Sequence, residues 1–249
     1  MKLDFTDQVV LITGATRGIG KQIADDFYNL GAKLIITGTN PDQIQKFSRE
    51  AEQQKKNICY HCVDFLDDKS FASFINSLDR YGKIDVCINN AGINRINFIE
   101  QTIMEDWNDI IAVNLTAPFK IIRKVSKIMK KNRYGRIINI SSIWGHISKE
   151  KRSSYSSSKF GLRGLTVTAS IELAKYNILV NTVSPGFVLT ELTRKILSEK
   201  EMKDLCLQIP AGRLANPDDI SPVVLFLTSP FNKYITGQNI IVDGGFVNV

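Results

Sequence analysis

Seven short apolar runs, at residues 9–13, 34–37, 58–63, 86–89, 136–140, 179–184 and 239–242, recur along the chain, each separated from the next by at least one segment of helical length. The segments 18–30, 41–53, 69–80, 107–131, 155–176, 190–208 and 217–227 read as those helices. Strands that are apolar without alternation need cover on both faces, and strands that alternate with helices run parallel. The pattern predicts an α/β fold: a doubly wound parallel sheet of about seven strands with helices on both faces. Such sheets bind ligands beyond the carboxyl ends of their strands. Segments 107–131 and 155–176 are apolar over more than one stripe, with Trp107, Ile110 and Phe119 on the first and Phe160, Leu165 and Val167 on the second. A wide apolar arc predicts a second buried face, in a thicker core or between subunits.

The 249 residues suit one large α/β domain, and no repeat, low-complexity stretch or Pro/Ser-rich linker divides them. A single domain over residues 1–249 is expected. At 43% hydrophobic and 23% charged, the composition is that of an ordinary globular protein. Residues 1–7 form no apolar leader, and no apolar run approaches the ~18–20 residues that span a bilayer. A cytoplasmic, soluble protein without a membrane partner is the expectation. Cys59 and Cys62 flank His61, but the run 58–63 reads as a strand, where an offset of three puts the two thiols on opposite faces. No metal site is expected. The net charge of +7 gathers in two runs: Lys124, Lys127, Lys130, Lys131, Arg133 and Arg136, then Lys149, Lys151 and Arg152. These read as solvated surface or as attraction for an acidic partner or anionic substrate. Nucleic acid is disfavoured, since no binding motif accompanies the charge.

Thr13-Gly14-Ala15-Thr16-Arg17-Gly18-Ile19-Gly20 lies between the first strand and the first helix. Its glycines let the backbone turn tightly and approach a pyrophosphate with no Cβ in the way. The helix that follows offers free N–H groups and the positive end of its dipole. The second strand ends at Thr37-Gly38-Thr39-Asn40, without the acidic residue that bonds the ribose 2′-hydroxyl in NAD sites. Arg17 offers instead a guanidinium for a 2′-phosphate. NADP(H) is therefore expected in preference to NAD(H). Thr16, Ile19 and Thr39 join the glycines and Arg17 as cofactor contacts. Asp64, with Phe65 beside it at the end of the third strand, can accept from the adenine amino group. Asn90, Ala91 and Gly92 follow the fourth strand, where small residues let backbone meet the adenosine ribose.

Tyr155-Ser156-Ser157-Ser158-Lys159 adds reactive groups. On a helix, positions i and i+4 share a face, so the Tyr155 hydroxyl and the Lys159 ammonium can enter one pocket. An ammonium roughly 4–5 Å from a phenol, at an effective dielectric near 20, favours the phenolate by about 3–4 kcal/mol. That brings a tyrosine toward neutrality, where a general acid/base works best. Ser142, thirteen residues upstream, can hold a substrate oxygen. Together these residues read as carbonyl/alcohol redox chemistry. A Ser-His-Asp hydrolase built on Ser142 and His146 is disfavoured because the Gly-x-Ser-x-Gly elbow is missing.

Taken in order, these residues resemble the short-chain dehydrogenase/reductase family, with its Rossmann-type fold, nearly from end to end. Residues 13–20 look like its cofactor turn, and Asn89-Asn90-Ala91-Gly92 like its Asn-Asn-Ala-Gly. Asn114, Ser142, Tyr155 and Lys159 resemble its catalytic tetrad. Ser184-Pro185-Gly186, with Val188 and Thr190, resembles the segment that closes over the nicotinamide, ahead of a substrate loop at about 187–212. The resemblance implies that Tyr155 gives a proton to the carbonyl oxygen, that Ser142 bonds that oxygen, and that Lys159 binds the ribose hydroxyls and lowers the Tyr155 pKa. Asn114 would hold a water linking Lys159 to solvent. Pro118 offers an independent reason for a water there, because without an N–H it cannot bond the Asn114 carbonyl and tends to kink the helix.

Within that family, Lys131-Asn132-Arg133-Tyr134-Gly135-Arg136, Pro210-Ala211-Gly212-Arg213-Leu214 and Ile235-Thr236-Gly237-Gln238 are similar to bacterial 3-oxoacyl-[acyl-carrier-protein] reductases. Arg133 would then contact an acidic carrier protein, and the resemblance implies a homotetramer or dimer built from the Trp107 and Tyr155 helices. Two features depart from that subgroup: Tyr176 stands before the sixth strand, and residues 149–152 are charged where the subgroup is small and neutral. Two substrate classes stay open, an acyl-carrier-protein-linked ketone and a sugar, sugar acid, polyol or nucleotide-linked sugar. A non-catalytic NADP-sensing or nucleic-acid-associated protein is a further reading, which an intact tetrad disfavours.

Overall fold

The computed structural model describes residues 2–196 and 198–249. Seven strands form one sheet: β1 (Val9–Ile12), β2 (Lys33–Gly38), β3 (Ile58–Cys62), β4 (Val86–Asn89), β5 (Gly135–Ile140), β6 (Ile178–Pro185) and β7 (Asn239–Val242). Their order is β3-β2-β1-β4-β5-β6-β7, and every neighbouring pair is parallel. The chain winds outward in one direction from β1 and in the other from β4. A crevice opens at that reversal beyond the carboxyl ends.

Alternation along each strand feeds two cores, one on either side of the sheet. Val10 and Ile12 face one core with Val86 and Ile88, while Leu11 and Cys87 face the other. Helices α1 (Gly18–Asn29) and α9 (Pro217–Thr228) cover the first side, contributing Ile23, Phe27, Ile220 and Val224. Helices α3 (Asp68–Ser77), α5 (Ala117–Asn132) and α6 (Ser153–Leu173) cover the second with Phe71, Ile121, Val125 and Leu173. Helix α2 (Pro41–Gln53) starts at a local signal, Asn40 accepting from the Gln43 N–H at 2.9 Å with Pro41 in the first turn. No described helix is long and apolar enough to cross a membrane.

Two expected helices are broken. Residues 107–131 divide into α4 (Met104–Ile111) and α5, joined by a wider π turn over Ala112–Thr116 in which the Ala117 N–H reaches the Ala112 carbonyl. Pro118 has no N–H for the carbonyl four residues back, and the ladder takes up an extra residue just ahead of it. Residues 190–208 divide into α7 (Glu191–Ile196) and α8 (Glu199–Gln208). Ser198 starts α8 with a capping box: its hydroxyl accepts from the Glu201 N–H at 3.3 Å, and the Glu201 carboxylate accepts from the Ser198 N–H at 2.8 Å. Leu197, inside the expected helix, lies outside the described residues, as does Met1. Segments 69–80 and 155–176 each close in a short 3₁₀ turn, Leu78–Tyr81 and Ala174–Tyr176.

Candidate active site

The glycine turn is fixed from both neighbouring strands. The Gly14 N–H donates to the Thr37 hydroxyl at 3.1 Å, and the Ala15 N–H to the Thr37 carbonyl at 3.1 Å. Across the reversal, the Thr13 hydroxyl accepts from the N–H groups of Asn90 and Ala91, each at 3.0 Å. The Asn90 amide in turn donates to the carbonyls of Thr13 and Gly14, each at 3.0 Å. Gly14 has φ +62°, and a Cβ there would meet the Ala91 backbone at 2.9 Å. The turn can pack this closely on β4 only as glycine.

This crevice fits a nicotinamide dinucleotide. Helix α1 begins at Arg17 with no side-chain cap and no acidic residue in its first turn. Its N–H groups and dipole are thus left for an anion. Arg17 and Thr39 are exposed beside the turn, and Thr16 packs beneath Gly38. Asp64 is exposed and bonds the Leu66 N–H at 2.9 Å, leaving the cap of α3 to Asp67; Phe65 is buried edge-on against Phe71. Pro185 ends β6, the Gly186 N–H donates to the Val242 carbonyl at 2.9 Å, and Val188 bridges Ala215. Thr190 then comes back over the turn, 3.5 Å from where a Gly18 Cβ would stand. Gly18 and Thr190 meet at the edge of a cleft of about 240 Å³ that Lys21, Asp25 and Pro217 also line.

The four candidate catalytic residues converge from three elements. Asn114 sits in the π turn, where its side-chain oxygen accepts from the Ile93 N–H and its amide donates to the Ile93 carbonyl, both at 2.9 Å. The same amide also reaches the Ser158 hydroxyl at 3.1 Å. Gly92 lies between them, with a Cβ position 3.4 Å from Asn114 Oδ1 and 3.6 Å from Lys159 Nζ. Ser142 follows β5, accepts from the Trp144 N–H at 3.2 Å and faces Tyr155 on α6. Gly145 lets α6 approach this turn, since a Cβ there would lie 2.9 Å from the Lys159 carbonyl.

Electrostatically the pair differs from its expectation. Lys159 is 3% exposed and donates to the Ile140 carbonyl at 2.9 Å. Burial lowers its pKa to about 8. Tyr155 is not drawn down by this lysine: burial pushes its phenol up, while the Ser142 hydroxyl and the Arg152 guanidinium pull the other way. The ammonium expected beside the phenol is bonded instead to the end of β5. Lys159 Nζ lies 5.6 Å from the Tyr155 ring centroid.

The match with known proteins covers this whole frame. A family model described as Enoyl-(Acyl carrier protein) reductase, of the short-chain dehydrogenase type, matches residues 14–247. The chain belongs to the short-chain dehydrogenase/reductase family. It is 36% identical over 247 residues to the 3-oxoacyl-[acyl-carrier-protein] reductase FabG of Escherichia coli (strain K12), covering 99% of this chain and 100% of that one. The FabG of Aquifex aeolicus (strain VF5) is 38% identical over 251 residues, with 98% and 99% covered. A solved gluconate 5-dehydrogenase from Burkholderia cenocepacia J2315, in complex with NADP and tartrate, superposes with a TM-score of 0.91 at 28% identity, over 99% and 97% of the two chains. The protein is thus an NAD(P)-dependent oxidoreductase of CH–OH/C=O groups.

Thr13 and Ser158 lie inside the two motifs read from the sequence, but nothing in the spacing marks their hydroxyls, which hold the turn and Asn114. One charge lies elsewhere than expected. Arg136, counted in the first basic run, is 4% exposed on β5 and donates to the carbonyls of Gly135, Asn177 and Asn232. In that run Lys124 pairs with Asp79 at 2.7 Å, and Lys130 lies over the Tyr176 ring at 4.8 Å. Arg133 is exposed at the end of α5. His146 is exposed just past the Ile143–Gly145 turn. Among the described residues no group of three His, Cys, Asp or Glu side chains could hold a metal.

Proposed function

We propose that this chain reduces a ketone to a secondary alcohol, or runs the reverse, with NADP(H) preferred over NAD(H). The convergence of Asn114, Ser142, Tyr155 and Lys159 at the carboxyl ends of the sheet carries this reading. Bound NADPH supplies the hydride. Tyr155, held protonated by burial, donates its phenolic proton to the carbonyl oxygen, and Ser142 hydrogen-bonds the same oxygen. Lys159, bonded to the Ile140 carbonyl, would hold the cofactor's ribose hydroxyls with its remaining donors. Asn114, tied to Ile93 and Ser158, positions a water on Lys159. Gly14, Thr16, Gly18, Ile19 and Gly20 cradle the pyrophosphate, and Arg17 takes a 2′-phosphate. Thr39, Asp64, Phe65, Asn90, Ala91 and Gly92 line the adenosine end; Pro185, Gly186, Val188 and Thr190 line the nicotinamide end.

A 3-oxoacyl thioester on acyl-carrier protein is the first substrate class, on the strength of the 36–38% identity to proteins of that name. The exposed Arg133 is the residue for an acidic carrier. A sugar acid, or another sugar or polyol, is the second. The basic segment 149–152 favours it, as does likeness to a gluconate 5-dehydrogenase. Exposed Phe119, Phe160, Val167 and Ile171 on α5 and α6 support assembly as a homo-oligomer through those helices.

The test is loss of NADPH absorbance with acetoacetyl-acyl-carrier protein, compared with acetoacetyl-coenzyme A, gluconate run in reverse, and NADH as the cofactor control. Preference for the carrier protein supports the first class, and turnover of gluconate alone the second. No turnover of any of them, in protein that binds NADPH, would count against the catalytic reading.

A further inference from the structure

Arg152 is the one charged side chain at the mouth of this site with polar atoms both buried and unpaired. Its Nε and Nη1 have no contact with solvent and no hydrogen-bond partner among the described residues. The side chain as a whole is half-buried, but two donors left without partners are costly unless something bonds them. Its position is fixed by backbone: Arg152 precedes α6, and its carbonyl accepts from the Ser156 N–H at 2.7 Å. It therefore stands three residues, one helical turn, before Tyr155 and on the same face.

Its neighbours keep carboxylates away and bring cations in. Lys151 has φ +62° and lies over the Phe98 ring at 4.3 Å. Lys149 lies 5.8 Å from the Trp144 ring, which stacks edge-on with Phe187 and Phe246. Glu150, the only acid in the segment, is exposed. None of Lys149, Lys151 and Arg152 forms an ion pair among the described residues, although Lys21, Lys33, Lys83, Arg95 and Arg213 do. Lys149 and Lys151 thus lie against aromatic rings, and of the three cations Arg152 is the one whose charge reaches Tyr155.

We infer that Arg152 recognises an anionic group, a carboxylate or a phosphate, carried by the substrate itself about one helical turn from the carbonyl that Tyr155 protonates. The planar guanidinium suits the two oxygens that either group presents. The inference rests on the carbonyl-redox reading and chooses between its two substrate classes: it favours the second, as a keto or hydroxy acid or a phosphate ester, over a 3-oxoacyl thioester, whose chain carries no anion near the ketone.

Matched pairs test it. The ratio of kcat/KM for acetoacetate over ethyl acetoacetate, and for gluconate over sorbitol in the NADP⁺ direction, is measured in the wild type, Arg152→Gln and Arg152→Lys. Calorimetry on NADP⁺-loaded protein, with gluconate and separately with inorganic phosphate, supplies a readout free of turnover and distinguishes the two anions. The wild type is expected to favour the charged member of at least one pair. Arg152→Gln should cut that ratio roughly ten- to a hundredfold, the scale of a charged hydrogen bond, with Arg152→Lys restoring part of it. Charged and neutral rates falling alike would overturn the inference, because Arg152 would then act only through Tyr155 or through the loop. If no carbonyl turns over, the catalytic reading fails by itself. Anion binding that Arg152→Gln abolishes would still support the inference, and absence of gluconate and phosphate binding to wild type would defeat it. If Arg152→Gln does not fold, as judged by circular dichroism, the ratio in Arg152→Lys decides alone.

Discussion

The Lys159 ammonium is tied to the Ile140 carbonyl at 2.9 Å, at the point where β5 ends and the Ser142 turn begins. This bond ties α6 to the end of β5. A lysine buried to this degree is unfavourable for the fold without its cofactor. Its pKa falls from 10.5 to about 8, so between those values the unfolded chain binds more protons than the folded one. Stability then rises with pH across that window, and the full penalty, at most about 3 kcal/mol, applies below it. Lys159→Met should therefore be more stable than wild type near pH 7, with the difference shrinking toward pH 10. Urea denaturation of the cofactor-free proteins across that range checks this; a variant less stable at neutral pH would show that the bond to Ile140 outweighs burial.

Gly14 and Gly164 make opposite predictions for the same substitution. Gly14→Ala places a Cβ in a left-handed conformation and against the Ala91 backbone at 2.9 Å. It should cost about 2–4 kcal/mol and weaken NADPH binding at least about tenfold. Gly164 lies in the middle of α6 with nothing near its Cβ position. Gly164→Ala should stabilise the chain by about 0.5–1 kcal/mol through helix propensity. Thermal melts and cofactor fluorescence separate the two. Destabilisation at Gly164 with a changed oligomeric mass would mean that a second copy packs there.

A buried polar ladder ties α6 to three strands. Asn89 donates to Asn139 at 2.8 Å, Asn139 to the Thr166 hydroxyl at 2.8 Å, and Thr182 to the same hydroxyl at 2.9 Å, which donates in turn to the Leu162 carbonyl. Thr166→Val would strand two buried donors, each worth about 1–3 kcal/mol. A loss of about 2–4 kcal/mol in equilibrium denaturation is expected, and a change below about 0.5 kcal/mol would show that the ladder re-pairs.

Most of the fold was legible because the strands are apolar on both faces: β4 and β7 were bounded to the residue, and the other strands to within one residue at either end. That same feature hid Arg136, since a strand buried on both sides gives no alternation by which to place an arginine inside. The break at the π turn was signalled by Pro118, although its width was not. The convergence of Asn114, Ser142, Tyr155 and Lys159 could be anticipated from spacing and family resemblance. The direction of the Tyr155 pKa could not, because burial of the phenol sets it, and spacing does not show how deeply a side chain is buried. Arg152 read as one of three like charges; only packing distinguishes it from Lys149 and Lys151.

The most direct measurement is Tyr155→Phe against wild type, following NADPH oxidation with the best substrate of the panel and NADPH binding by fluorescence. The expected result is unaltered cofactor binding with kcat reduced at least about a hundredfold, the scale of lost general acid catalysis. Turnover within about twofold of wild type, with binding intact, would remove Tyr155 as the proton donor and contradict the account.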